Sequence, residues 1–256
     1  MSVPDTAAPE ISIIVPAWNE ERSLPATLDA LSGGARALGK AFELLVVNDD
    51  SSDRTADVAR EHGARVLDVR CRQIAAVRNR GARASRGRVL IFVDADTIVP
   101  PETLRAAVAA IDAGAAGGGA RVRMDQLPWQ LRPLFVLFTL IYHDLARLAA
   151  GCFVFASRAA FDAAGGFDEQ YLASEEVHLS RALRRQDRFV IPRESITSSA
   201  RKVRLYRGGG MVRQLLSILL RGPRSLKKRE GLGLWYEGRR ETASDAAAAK
   251  DAGARP

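Results

Sequence analysis

Apolar runs of strand length recur along the first half of the chain, at Ile11–Val15, Phe42–Val47, Ala64–Val69 and Val89–Val93. Between them the apolar residues change to a helical period, at Leu24–Leu38, Thr55–His62, Ile74–Ala84 and Glu102–Asp112. This β-α-β-α rhythm predicts an α/β fold, a mixed and mostly parallel sheet flanked by helices. In such a sheet, ligand-binding groups collect in the loops beyond the carboxyl ends of the strands. Polar residues do follow the runs: Pro16-Ala17-Trp18-Asn19-Glu20 after the first, Asn48-Asp49-Asp50-Ser51-Ser52-Asp53 after the second, and Asp94-Ala95-Asp96 after the fourth. Three polar loops are therefore expected to share one edge of the sheet.

Past Gly114 the rhythm breaks. A glycine-rich stretch holding Gly117-Gly118-Gly119 precedes an expected strand at Ala120–Met124, an apolar segment at Pro128–Ala149, a strand at Cys152–Ala156 and a helix at Arg158–Ala164. The segment GGFDEQYLASEEVHLSRALRR closes on a helix with Val177, Leu179, Ala182 and Leu183 available for packing. The pattern divides the chain into a flexible leader (1–9), a main domain (10–205) with halves 10–113 and 114–205, a helical extension (206–241) and a disordered alanine-rich tail (242–256). No repeat of solenoid or propeller length is present.

Charge changes this picture in one place only. The formal net charge is +8, yet from Ser195 to Arg229 there are ten basic residues and no Asp or Glu, so the rest of the chain is near balance. Within that stretch Met211, Leu215, Ile218 and Leu219 fall at helical spacing, which suits a basic amphipathic helix on an anionic membrane surface through 208–229. Packing of the same face on the main domain, with the basic groups solvated, is the equal alternative. Aromatics make up 6% of the chain and no nucleic-acid motif occurs, so no nucleic-acid partner is expected. Cys71 and Cys152 form no CxxC pair and His62, His143 and His178 share no spacing; zinc and a disulfide framework are not indicated, and the cysteines read as buried small residues. The N-terminus lacks a signal-peptide pattern, and the apolar run Leu134–Tyr142 falls well short of the ~20 residues that span a bilayer. A cytoplasmic location, peripheral on the inner face of the plasma membrane, is the expectation.

Several residues carry chemistry. Asp94 and Asp96 are two positions apart, so in an extended segment both carboxylates face one pocket and suit Mg²⁺ or Mn²⁺ together with substrate phosphates. Read alone, Asp96 or Thr97 merely shapes the turn before a helix opened by Pro100, Pro101 and Glu102. Asp49 and Asp50 read either as turn formers, with Ser52 or Asp53 capping the next helix, or as a carboxylate that accepts a nucleobase N–H. Glu175 and Glu176 read locally as acids at a helix N-terminus with Ser174 as its cap.

In combination, ISIIVPAWNEE, LLVVNDDSSDRT, RNRGARASRGRVLIFVDADT and GGFDEQYLASEEVHLSRAL occur in the order seen in family 2 of the inverting glycosyltransferases, and the chain resembles that family from about Ile11 to Ser199. The resemblance implies a Rossmann-like GT-A fold, a nucleotide-diphosphate sugar donor, UDP- or GDP-linked, and a bound Mn²⁺ or Mg²⁺. By the resemblance, Pro16, Ala17, Trp18, Glu20 and Asp49 line the nucleoside pocket. Asp94, Ala95 and Asp96 match the DxD motif, with Asp96 on the metal and Asp94 near ribose and metal. Glu176 stands at the catalytic base and Glu175 is its acidic neighbour. Arg72 and Arg78 are candidates for diphosphate or base contacts, or solvated arginines on a helix face. Three departures stand out: Asp50 replaces a frequent glycine, Glu176 is one methylene longer than the usual base, and the QxxRW motif is absent, with Arg201 and Lys202 near its place. The implied reaction is metal-dependent sugar transfer to an acceptor hydroxyl; the missing QxxRW motif and the lack of a spanning run favour single addition, and if the basic segment lies on a membrane the acceptor is lipid-linked or membrane-associated. Two alternatives remain: transfer to a polyprenyl phosphate, whose oxygen is already anionic and needs no base, and a non-catalytic basic module that binds membrane or nucleic acid.

Overall fold

A computed structural model describes residues 8–125 and 132–199. Ten strands and seven helices are described there: β1 (Ile11–Ala17), α1 (Leu24–Arg36), β2 (Phe42–Asp49), α2 (Thr55–Glu61), β3 (Arg65–Val69), α3 (Ile74–Ala84), β4 (Val89–Val93), β5 (Thr97–Ile98), α4 (Pro101–Asp112), β6 (Gly117–Gly119), β7 (Arg121–Met124), α5 (Arg132–Thr139), β8 (Phe153–Ser157), α6 (Arg158–Ala163), α7 (Glu175–Arg184), β9 (Phe189–Val190) and β10 (Ser195–Ser198). A π-helical turn, Leu140–Leu145, continues α5. The amphipathic extension and tail expected beyond residue 205 lie outside the described residues.

Seven strands form one sheet in the order β3-β2-β1-β4-β8-β6-β9. The first four run parallel, as the sequence rhythm requires; β8 enters antiparallel to both β4 and β6, which makes the sheet mixed. Every residue of β1 and β4 is buried, because helices cover both faces. Side-chain alternation divides the core: Ile11, Ile13 and Val15 of β1 pack towards α1, α2 and α4, whereas Ile14 packs towards α3, α6 and α7. On the second face Phe92, Phe161 and Phe167 cluster, with the Phe92 ring 5.0 Å from Phe167 and 5.3 Å from Phe161. Burying such a trio contributes several kcal/mol, at ~25 cal/mol per Å² of apolar surface removed from water.

The strand Gly117–Gly119 lies where the sequence suggested only a glycine-rich break. A Cβ on Gly118 would collide with the Val190 carbonyl oxygen and the Phe155 ring, so this strand pairs with β8 and β9 only because it has no side chains. A second, three-stranded sheet, β5-β10-β7, starts immediately after Asp96. Its register sets Ser198 opposite Thr97, and Ser195 opposite Arg121. The helix expected from Ile74 to Ala84 and the strand from Val89 to Val93 have those bounds in the structure. Cys71 and Cys152 are half-buried rather than buried, and His143 is only 2% exposed, deeper than a surface or partly packed side chain.

Candidate functional site

The polar loops that leave β1 and β2 are fastened to each other. Pro16 and Ala17 end β1. Asn19 turns the chain in the left-handed region, φ 52°; its N–H donates to Ser51 Oγ at 3.0 Å and its Oδ1 accepts the Ser52 N–H at 2.7 Å. The Glu20 N–H donates to Thr55 Oγ1 at 2.8 Å and the Glu21 N–H to Asp53 Oδ2 at 3.2 Å. Asp53 Oδ1 accepts the Thr55 N–H at 3.0 Å, so Asp53 serves the first turn of α2 although Arg54 occupies the cap position itself.

Asp49, 6% exposed at the end of β2, accepts the Cys71 N–H at 2.6 Å and the Arg72 N–H at 2.9 Å. Its carboxylate thereby fixes the chain just ahead of α3. Asp50 has φ 58°, a backbone conformation that glycine adopts at no steric cost and that Asn and Asp tolerate best among the rest. This accounts for an aspartate where the resemblance points to glycine. The Asp50 carboxylate meets Arg70 at 3.3 Å and Arg72 at 3.2 Å, and the Arg72 guanidinium lies 4.8 Å above the Trp18 ring. Trp18, Asp49 and Arg72 are thus brought together.

Asp94 and Asp96 do not lie on an extended segment. The Thr97 N–H donates to the Asp94 carbonyl at 3.1 Å, closing a turn over Asp94–Thr97. The chain has to leave the large sheet after Val93 and enter the small one at Thr97, and a turn is the shortest route. Ala95 is buried within it, its carbonyl accepting the Thr27 hydroxyl at 2.9 Å.

Arg78 is not a solvated helix-face arginine. It is 2% exposed, and its guanidinium meets Glu175 Oε1 at 2.5 Å through Nη1, and Asp94 Oδ1 at 2.8 Å and the Gly151 carbonyl at 2.7 Å through Nη2. Burial by itself would lower its pKa, but Asp94, Glu175 and Glu176 outweigh that and hold it raised. One residue of α3 therefore joins the turn after β4 to the start of α7. Asn79, beside it, fixes the loop before α7: its Nδ2 donates to the Phe167 carbonyl at 2.8 Å and its Oδ1 accepts the Phe167 N–H at 2.9 Å.

At the start of α7, Ser174 is left-handed, φ 62°, and its side chain makes no capping bond, so the cap expected from the sequence does not form. A side-chain cap needs an extended backbone at that position. Glu175 is buried against Arg78, and burial raises its pKa despite the guanidinium. Glu176 keeps partial contact with solvent. Burial first and the Glu175 carboxylate second push its pKa up to about 8, with Arg78 and the Tyr142 hydroxyl acting in the opposite direction. The Tyr142 hydroxyl lies 3.2 Å from both Glu176 Oε1 and the Ala149 carbonyl, so its single proton serves one of them at a time. A carboxyl near this pKa can both take and return a proton at neutral pH.

Sequence reasoning missed Tyr142 and Asn79. For Asn79 a signal existed, since it lies on the apolar side of α3, next to the stripe Ala75, Arg78 and Ala82. For Tyr142 none did: the π-helical turn that aims it leaves no mark in hydrophobic periodicity. Arg201 lies outside the described residues. Among the described residues no group of three or more His, Cys, Asp or Glu side chains gathers that could hold a metal ion. Asp94, with a third of its side chain accessible, and Asp96, partly accessible, are hard oxygen donors. Donors of this type suit Mg²⁺ or Mn²⁺, which commonly takes one or two carboxylates together with substrate phosphates.

Comparison with known proteins agrees with this architecture. The family described as glycosyl transferase family 2 matches residues 12–162. An undecaprenyl-phosphate 4-deoxy-4-formamido-L-arabinose transferase of Pseudomonas paraeruginosa is 36% identical over 104 residues, which is 37% of this chain and 30% of that protein. The Proteus mirabilis protein of the same name is 32% identical over 128 residues, 47% of this chain and 39% of the other. The matches thus span about a third of the length of these curated relatives. Among solved structures, a mannosyltransferase from Pyrobaculum calidifontis in complex with GDP-Man and Mn²⁺ superposes with a TM-score of 0.65 at 20% identity, covering 98% of this chain and 77% of that one. Glucosyl-3-phosphoglycerate synthase from Mycobacterium tuberculosis, in complex with Mn²⁺, UDP and glucosyl-3-phosphoglycerate, does so with a TM-score of 0.58 at 22% identity, covering 83% and 79%. At these identities the superpositions speak for the GT-A fold, and the sequence match over more than half of the chain speaks for the family. The chain belongs to glycosyl transferase family 2.

Proposed function

We propose that the protein transfers a sugar, with inversion, from a nucleoside diphosphate donor to an acceptor hydroxyl, with Glu176 as the general base. The observation that carries this reading is the buried Arg78 guanidinium, which binds Glu175 and Asp94 and feels the charge of Glu176, and so joins the turn after β4 to the start of α7. Trp18, Asp49 and Arg72 form the nucleoside end of the cleft. Asp94 and Asp96 hold a divalent cation, Mn²⁺ or Mg²⁺, which when bound offsets the charge of the departing diphosphate. The acceptor oxygen loses its proton to Glu176 as it bonds to the anomeric carbon, while the bond from that carbon to the phosphate oxygen breaks and the nucleoside diphosphate leaves. Arg78 holds Glu175 in place beside the base, and the Tyr142 hydroxyl orients the Glu176 carboxylate.

A second reading, with a lipid phosphate oxygen as the nucleophile, is favoured by the curated relatives, undecaprenyl-phosphate transferases that match 37% to 47% of this chain. Against it stands the charge of the site, where an incoming phosphate meets Asp94, Glu175 and Glu176 together. Glu176→Gln separates the two: with a hydroxyl acceptor it lowers kcat by ~10²–10⁴-fold, and with a phosphate acceptor it leaves most activity. The primary experiment is a thermal-shift series with UDP and GDP sugars, with and without Mn²⁺, followed by NMR of the product anomer. Absence of any nucleotide effect, or a product that retains configuration, refutes the proposal. A peripheral position on the cytoplasmic face of a membrane is part of the same reading; among the described residues no helix is long and apolar enough to cross a membrane.

A further inference from the structure

β7, the chain just ahead of and at the start of β10, α5 and the π-helical turn line an open pocket of about 430 Å³, within the usual range for a small-molecule site. Its lining combines arginines with apolar side chains, Val122 and Met124 of β7 among them. Arg121 and Arg123 alternate onto one face of β7, and Arg193 stands two residues before Ser195, the register partner of Arg121. No described lining residue is acidic. Phe135 and Val136 of α5 line it as well. Beyond Val136, the same helix and turn expose Leu137, Leu140, Ile141 and Leu145 to between 49% and 80%, the largest exposed apolar side chains described in the molecule apart from Ile98. Arginines and apolar side chains in one pocket, beside an exposed apolar stripe, are complementary to an amphiphile: guanidinium forks match phosphate oxygens, and the stripe matches hydrocarbon.

The pocket is tied to the site already described by two short connections. His143 lines it, and the adjacent Tyr142 hydroxyl meets Glu176. Ser198 of β10 pairs with Thr97, the residue after Asp96. We propose that this pocket anchors the phosphate of a lipid-phosphate-linked acceptor, with Arg121, Arg123 and Arg193 on the phosphate and Phe135 and Val136 on the first carbons of a prenyl-type tail. The proposal rests on the glycosyl-transfer reading, and it assigns the phosphate as an anchor rather than the nucleophile. Negative charge is received at the arginines, on one side of Tyr142, and the reacting hydroxyl is presented to Glu176 on the other.

The test is isothermal titration of the full chain with three probes: farnesyl phosphate, farnesol and inorganic phosphate. Farnesyl phosphate is expected to bind at least tenfold more tightly than either of the others, because only it engages both the arginines and the apolar side chains. The Arg123→Gln/Arg193→Gln variant is expected to lose ten- to hundredfold in farnesyl phosphate affinity. Val136→Asp weakens farnesyl phosphate too, and neither variant alters binding of GDP or UDP with Mn²⁺. Equal binding of farnesol, equal binding of inorganic phosphate, or unchanged affinity in the double arginine variant overturns the proposal; the last result places the lipid on the basic segment 201–229 instead. Farnesyl phosphate binding without nucleotide binding refutes the donor-site reading and leaves the pocket standing. Nucleotide binding without farnesyl phosphate binding does the reverse.

Discussion

Replacing Glu176 by glutamine should stabilise the protein as it inactivates it, by an amount that depends on pH. The folded-state pKa of Glu176 is about 8 against an ordinary value of 4.5, so between those values the folded protein holds a proton that the unfolded chain has released. Where the folded state binds more protons, stability falls as pH rises. The contribution is fully present below about 4.5, declines through neutral pH, and is gone above about 8. A sealed site would lose ~1.4 kcal/mol per pH unit over that window. Because the carboxyl keeps partial contact with solvent and is coupled to Glu175, a discounted figure of ~1–2 kcal/mol at pH 8 is the realistic scale. Glutamine has the same shape, keeps an oxygen for the Tyr142 hydroxyl and carries no charge, so packing is held constant. Thermal melts of the two proteins from pH 5 to pH 8.5 should nearly coincide at the acid end. They should separate with rising pH until the Glu176→Gln variant is favoured by ~2–8 °C, at ~2–4 °C per kcal/mol for a domain of this size. Parallel curves, or a gap that widens towards acid, would show that Glu176 is not held neutral by its surroundings.

Three further outcomes follow from the same geometry. Arg78→Met leaves Glu175 buried without its guanidinium and should cost ~3–5 kcal/mol in urea unfolding, whereas Arg78→Met/Glu175→Gln should recover a large part of it, since the cost lies in the unpaired charge. Tyr142→Phe removes a donor that favours the Glu176 carboxylate, so the acid limb of the kcat/KM profile should move to higher pH, with a stability change within ~1.5 kcal/mol; an unmoved limb would mean that the hydroxyl serves only the Ala149 carbonyl. Asp96→Asn should abolish the Mn²⁺-dependent part of the thermal shift given by UDP or GDP while the melting temperature without nucleotide changes by no more than ~2 °C, Asp96 being a partly exposed turn residue.

Much of the frame was legible in the chain because the parallel strands are buried on both faces and so appear as unbroken apolar runs, with helices of ordinary period between them. What escaped is held by contacts far apart in sequence. β6 has no side chains to make a pattern, and β5 and β9 are two residues each, too short for a period to register. The turn at Asp94–Thr97 follows from the passage between two sheets, and the existence of the second sheet cannot be read from local periodicity. The motif residues Asp49, Asp94, Glu175 and Glu176 were legible as chemistry, while their partners were not. Arg78 reaches Glu175 across 97 positions, and Tyr142 meets Glu176 through a helical turn of irregular register. Arg78 did leave a trace, since it occupies the stripe of α3 marked by Ala75 and Ala82, where an arginine is out of place unless something pairs with it.

The charges around Arg78 give a physical reason for the cation in the proposed chemistry. Asp94, Glu175 and Glu176 act on one buried guanidinium, and Asp94 and Asp96 both reach the neighbouring Cys152 thiol and help to raise its pKa, behind burial itself. Such an excess of carboxylate in a desolvated place is relieved either by holding a proton or by gathering positive charge. The raised pKa of Glu176 is the first form of relief. A nucleoside diphosphate entering the cleft brings further negative charge towards Asp94 and Asp96, and a proton on Glu176 cannot offset it without disabling the base. Asp94 and Asp96 would hold a divalent ion that would relieve both charges at once and leave Glu176 free to titrate. On this argument UDP or GDP binding should weaken by at least tenfold when the ion is chelated with EDTA. Equal nucleotide affinity with and without Mn²⁺ would mean that protein cations such as Arg72 carry the diphosphate alone.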